Sequence, residues 1–130
     1  MNVLEPGGWI RPNGYANGIA ASGTTIFVAG QVGWDAHQQF VSDDLVEQVR
    51  QALDNVTAVL AEAGARPSHI TRLTWYVVDR QEFLARRPEI GAVFRELIGH
   101  YAMAMTAVQV SALMEDRAKV EIEATAVLPA

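Results

Sequence analysis

DLVEQVRQALDNVTAVLAEAGARPSHITRLTWYVV, residues 44–78, is the stretch that decides the fold. Its first half is apolar at Val46, Val49, Leu53, Val56 and Leu60, in steps of three and four. That spacing lays one apolar stripe along an α-helix. Ser42 or Asp43 is placed to cap it, and Asp44 and Glu47 suit its positive N-terminal end. Gly64 stands just past the C-terminus, where a left-handed residue ends a helix. The second half changes period. Over residues 69–78, Leu73, Trp75 and Val77 alternate with Arg72, Thr74, Tyr76 and Val78, which is the period of a strand.

Toward the C-terminus, Asp79 or Gln81 begins a second helix that reaches about Gly99, with Pro88 interrupting it. Two strands follow, near Ala104–Leu113 and Lys119–Leu128, joined by a turn at Glu115-Asp116. Toward the N-terminus a hairpin is expected: Ile19–Ala21, a turn at Ser22-Gly23-Thr24, and a strand from Thr25 to Gln31. Pro6-Gly7-Gly8 and Pro12-Asn13-Gly14 are loop signals, so residues 1–17 are expected to be irregular. The result is one α+β domain over residues 1–130 with the order β-β-α-β-α-β-β.

Two helices cover only one face of such a mixed sheet. The last strand gives that face Val120, Ile122, Ala124 and Ala126, and gives the other face Glu121, Glu123 and Thr125. Phe27, Ala29 and Gln31 alternate with Ile26 and Val28 on the second strand. The uncovered face is too apolar to be simply solvated and too polar to be a core. It suits packing against further copies of the chain around a small wet interior.

Composition narrows the chemistry. The 130 residues contain no cysteine, which excludes a thiol nucleophile, a cysteine–zinc site, an iron–sulfur cluster and a disulfide framework. Half the residues are hydrophobic and the net charge is −5, with Lys119 as the one lysine among ten bases. An acidic chain without a basic cluster is not expected to bind nucleic acid or an anionic membrane. Met1–Ile10 lacks the basic, apolar character of a leader and no apolar run reaches membrane-spanning length, so a cytoplasmic location is expected. Gly30-Gln-Val-Gly33 lacks the lysine of a phosphate loop, and there is no Gly-x-Ser-x-Gly elbow. His37, His69 and His100 have no metal-ligand spacing, so no metal site is expected.

The carboxylates Glu121 and Glu123 share the uncovered face, where a partly desolvated carboxylate can handle a proton or a water. Arg86-Arg87 at the second helix and Arg11 in the N-terminal loop are candidates to bind a substrate carboxylate. Tyr15, in the loop Asn13-Gly-Tyr-Ala-Asn-Gly18, is a candidate to reach a ligand.

An ordered set of segments over roughly residues 14–127 resembles the Rid (YjgF) family of reactive-intermediate deaminases, also described as endoribonuclease L-PSP-like. They are Gly14-Tyr15, Val28-Ala-Gly-Gln-Val-Gly33, Gln51-Ala-Leu-Asp-Asn-Val56 with Leu60 and Ala63-Gly64-Ala65, Ile70-Thr-Arg-Leu-Thr-Trp-Tyr-Val-Val78, Phe94, and Val120-Glu-Ile-Glu-Ala-Thr-Ala126. The resemblance implies a chorismate-mutase-like fold and a homotrimer with substrate clefts between subunits. It also implies hydrolysis of small enamines or imines without metal or cofactor. Tyr15 would line the cleft and Glu121 would position the attacking water. Met105 stands where the family carries an arginine that clamps the substrate carboxylate. Ala29 replaces a frequent serine, Ala107 is the small residue beyond the clamp position, and Arg87 stands at a usual asparagine. A thioether cannot bind a carboxylate, so 2-aminoacrylate is disfavoured as substrate. Either Arg87 or Arg11 supplies the cation, or the site has become neutral. The alternative is a trimer of this fold that binds a ligand or partner without catalysis.

Overall fold

A computed structural model describes residues 1–130. Helix α1 spans Leu45–Glu62, and its buried side includes Val46, Val49, Leu53, Val56 and Leu60. Asp44 is the cap, one or two residues later than Ser42 or Asp43. Its carboxylate accepts from the Glu47 amide at 3.1 Å, while Ser42 Oγ accepts from the Asp44 amide at 2.9 Å. The Arg86 guanidinium, at 3.0 Å, holds the Asp44 carboxyl below its usual range. At the other end Gly64 takes φ 72°, which a residue without Cβ adopts freely.

Four strands make the main sheet: β3 Thr24–Val32, β4 Ile70–Val77, β5 Ala104–Gln109 and β6 Val120–Leu128. Their order is β3-β6-β4-β5; β4 and β5 are parallel and the other two pairs antiparallel. On one face Val28, Leu73, Trp75, Ile122 and Ala124 meet the α1 stripe and Ile90 and Val93 in a single buried cluster. Each large apolar side chain removed from water there contributes about 1.5–3 kcal/mol.

The helices number three. α2 (Arg80–Ala85) is capped by Asp79, and α3 (Arg87–Leu97) begins anew, with Pro88 in its first turn. Proline has no N–H and its ring clashes with the carbonyl four residues back, so a helix stops before it and restarts with it. The expected hairpin between residues 19–21 and β3 is absent. Gly23 runs so close to the end of β6 that a Cβ there would lie 2.2 Å from the Leu128 carbonyl oxygen. The chain thus enters β3 already paired with β6, Thr24 opposite Leu128. β2 (Gly18–Ala20) pairs instead with β1 (Asn2–Leu4), so residues 1–17 are not wholly irregular. β5 ends at Gln109 rather than Leu113, because its partner β4 ends at Val77. The Gln109 side chain then accepts from the Arg80 amide at 2.7 Å.

Gln48 is fully buried on α1. It donates to the carbonyls of Ser42 and Arg117 and accepts from the Lys119 amide, at 2.8–3.0 Å. The segment entering β6, and hence the position of Glu121, is fixed to α1 by these bonds. No helix is long and apolar enough to cross a membrane.

Candidate active site

The sheet register assigns the strand candidates to two sides. Met105 lies opposite Leu73, and Ala107 opposite Trp75, both on the helix-covered side. Glu121 lies opposite Tyr76, on the other face. One chain therefore does not bring Glu121 and Met105 together.

On the helix side is a cavity of about 800 Å³ between α3, β5 and the N-terminal loop. Tyr15, Arg87, Met105 and Ala107 all line it. The loop is held there because the Ala16 amide donates to the Met103 carbonyl at 2.9 Å and Ala16 bridges to Ala104. Arg86 and Arg87 differ in role. Arg86 is engaged by Asp44 and Glu89. Arg87 makes no ion pair and lines the cavity. Arg11 is exposed and lies outside it.

Three lining residues escaped the sequence reading. Arg95 follows Arg87 by eight residues on α3, and that spacing was the available signal. His100 and Tyr101 follow the end of α3, where His100 reads as a partner for the helix dipole. The floor is aromatic: Trp75 packs against Phe83 and Phe94 with ring centroids 6.1 Å apart in both pairs. No carboxylate lines the cavity, so its charged groups are the two arginines.

The other face carries the acids. The Tyr76 hydroxyl donates to Glu123 at 2.6 Å, and this bond, with burial, raises the tyrosine above its usual ionisation range. Glu121 has no such partner and lies over Gly30, where a Cβ would sit 2.1 Å from its carboxylate oxygen. Gly33, at the other end of the same motif, packs onto Gln48, with 2.7 Å between an imagined Cβ and the helix backbone. Both glycines of Gly30-Gln-Val-Gly33 thus serve close approach, one to a carboxylate and one to a helix. Ala29 lies in the bulge of β3 and lines a smaller hollow of about 370 Å³ with Phe27, Arg72 and Glu123. Of the six residues that the family resemblance singles out, Tyr15, Arg87, Met105 and Ala107 share one cavity, while Glu121 and Ala29 lie on the opposite face.

His69 is structural: its Nδ1 accepts from the Arg66 amide at 2.9 Å. His37 is exposed in a turn organised by Asp35, whose carboxyl is lowered by the amides of Gln39 and His37.

Comparison with known proteins identifies the family. Residues 10–128 match the family model described as Endoribonuclease L-PSP. A RutC family protein of Pyrococcus abyssi is 33% identical over 117 residues, 89% of this chain and 88% of the relative. A Salmonella typhimurium protein named 2-iminobutanoate/2-iminopropanoate deaminase is 33% identical over 113 residues, 87% of this chain and 86% of the relative. The crystal structure of YyfB, a Rid family protein of Yersinia pestis, superposes with a TM-score of 0.86 at 34% identity and 98% coverage of both chains. The sequence and the architecture together place this chain in the endoribonuclease L-PSP family, the group also called Rid or YjgF.

Proposed function

We propose that the protein is a cofactor-independent hydrolase that deaminates a small imine or enamine in a cleft completed by another copy of itself, in a homotrimer. The carrying observation is the gathering of Tyr15, Arg87, Met105 and Ala107 around one cavity whose charged lining is cationic. The named activity of the Salmonella relative supports the reaction class.

In the proposed reaction a water adds to the imine carbon. Glu121 accepts its proton as the C–O bond forms and returns a proton to nitrogen. The added hydroxyl then gives up its remaining proton, relayed by Glu121 to the nitrogen, as the C–N bond breaks, so ammonia leaves and the oxygen stays as the ketone. An enamine first takes a proton on carbon to become the imine. Glu121 of one copy would face the cavity of its neighbour, since within one chain the two lie on opposite sides of the sheet. Met105 cannot clamp a carboxylate, so Arg87 takes that task and holds the substrate in a different pose, one to which 2-aminoacrylate is poorly suited.

The test is release of ketone and ammonia over a panel of imines with and without a carboxylate. Glu121→Gln should abolish most turnover while leaving the fold intact; full turnover by that variant would refute the mechanism. The Met105 replacement also favours a second reading, a ligand-binding trimer without catalysis, which predicts tight binding of a metabolite and no ammonia.

A further inference from the structure

The cavity beside α3 has two properties in one place: paired unneutralised guanidiniums and a large aromatic floor. The five ion pairs of the chain employ Arg50, Arg86 (twice), Arg117 and Lys119 as their cations. Arg87 and Arg95 are left out of them, and both line this cavity in a chain of net charge −5. Their Cα atoms stand ~12 Å apart along the helix. Gly91 lies midway, and a Cβ there would have Arg95 Nη1 at 3.2 Å as its one neighbour. The Arg95 guanidinium is thus folded back over Gly91, toward Arg87. The absent side chain of Gly91 leaves room for that guanidinium on the cavity side of α3, so both arginines present their charge to the same cavity. Such a pair fits a carboxylate, which accepts from both.

Beneath them Trp75 is 3% exposed, and its Nε1–H is the single buried side-chain polar atom of the chain without a hydrogen-bond partner. Buried tryptophan N–H groups usually find an acceptor. Phe83 and Phe94 flank the ring. A cavity of about 800 Å³ exceeds what a three- or four-carbon acid fills.

Resting on the deaminase reading, we infer that the substrate is a carboxylate bearing a large apolar, preferably aromatic, substituent, its carboxylate held by Arg87 and Arg95 and its substituent packed on Trp75, Phe83 and Phe94. Arg95 and Gly91 then set specificity: one supplies the second cation and the other the space for it.

Calorimetric titration of the intact protein with 2-oxo acids, the products of the proposed reaction, tests this. Pyruvate, 3-phenyl-2-oxopropanoate and the uncharged methyl ester of the latter are the probes. The phenyl acid should bind at least about tenfold tighter than pyruvate and about tenfold tighter than its ester. Arg95→Gln should weaken the acid about tenfold and leave the ester unchanged, with Arg95→Lys recovering part of the loss. Equal or tighter binding of pyruvate, failure of both acids to bind, or equal weakening of acid and ester by Arg95→Gln would each overturn the inference. If Arg95→Gln does not fold, the acid-against-ester comparison on the unaltered protein still decides. Ammonia release from the matching imines, followed in parallel, separates the two claims. Selective binding without ammonia release refutes the hydrolase and keeps the inference. Turnover indifferent to substituent size refutes the inference and keeps the hydrolase.

Discussion

The two faces of the main sheet differ in how they are satisfied. The helix-covered face is closed within the chain: Leu73, Ile122, Val120 and Ala126 are fully buried, and their partners lie on α1 and α3. The open face holds Glu121, Glu123, Tyr76 and Arg72, together with Phe27, which is 77% exposed. The first face holds the fold together. The second carries a carboxylate with no partner and an aromatic ring with no cover, and it is the face that the proposed trimer would bury. The cavity opens on the helix side and the candidate acid/base stands on the open side, so the proposed chemistry needs both faces but from different copies.

Substitutions on each face should separate these roles. The largest effect is expected on the open face and in turnover alone: Glu121→Gln should cost ~10²–10⁴ in rate, read in single-turnover assays, with an unchanged melting curve. On the closed face Leu53→Ala should cost ~2–5 kcal/mol in denaturant unfolding, because a fully buried side chain leaves a cavity behind. Asp44→Ala, at the α1 cap, should cost about 1 kcal/mol. The Asp44 carboxyl is held below its ordinary value, so its contribution is complete above the unfolded value of 3.8 and is lost as pH falls through the lower folded value. The acid limb of stability against pH should therefore flatten in Asp44→Asn. Smaller is Tyr76→Phe, which gives up the one hydrogen bond to Glu123 and should lower the denaturant midpoint only slightly. The Tyr76 hydroxyl is raised above 10.0, so its contribution is present below that pH and fades as pH rises through the folded value. Phe27→Ser should leave the stability of the single chain within ~0.5 kcal/mol. The same change should weaken the proposed trimer, seen by sedimentation; unchanged assembly would mean that this face is not the contact.

What was legible in the sequence follows from periodicity. The α1 stripe, the alternation of β4 and β6, and the facing of Glu121 and Glu123 away from the helices are written in steps of 3.6 and 2. Strand partnership is not, since a strand's own pattern names its buried face and not its neighbour. That is why β2 was matched with β3, when the close approach of Gly23 to Leu128 gives β3 to β6 and leaves β2 to β1. Pro88 signalled an interruption, and the three-helix outcome follows from its chemistry. Gln48 gave no sign, because a buried polar residue on an apolar stripe is explained only by partners as distant as Lys119. In the site, Tyr15, Arg87, Met105 and Ala107 were each identifiable, but their convergence depends on the Ala16–Met103 bond between distant segments. Arg95 was missed because its service to the cavity depends on the space over Gly91.

The central claim is that each site is shared, with the cavity from one copy and Glu121 from another. Its most direct test is complementation between two inactive variants, Ala107→Trp, which fills the cavity, and Glu121→Gln. Each is refolded alone and then both are refolded together in equal amounts. A shared site predicts that the mixture regains about one quarter of the unaltered activity, since half the cavities and half the carboxylates combine intact at random. A mixture as inactive as its two components would contradict the claim and place the whole site within one chain.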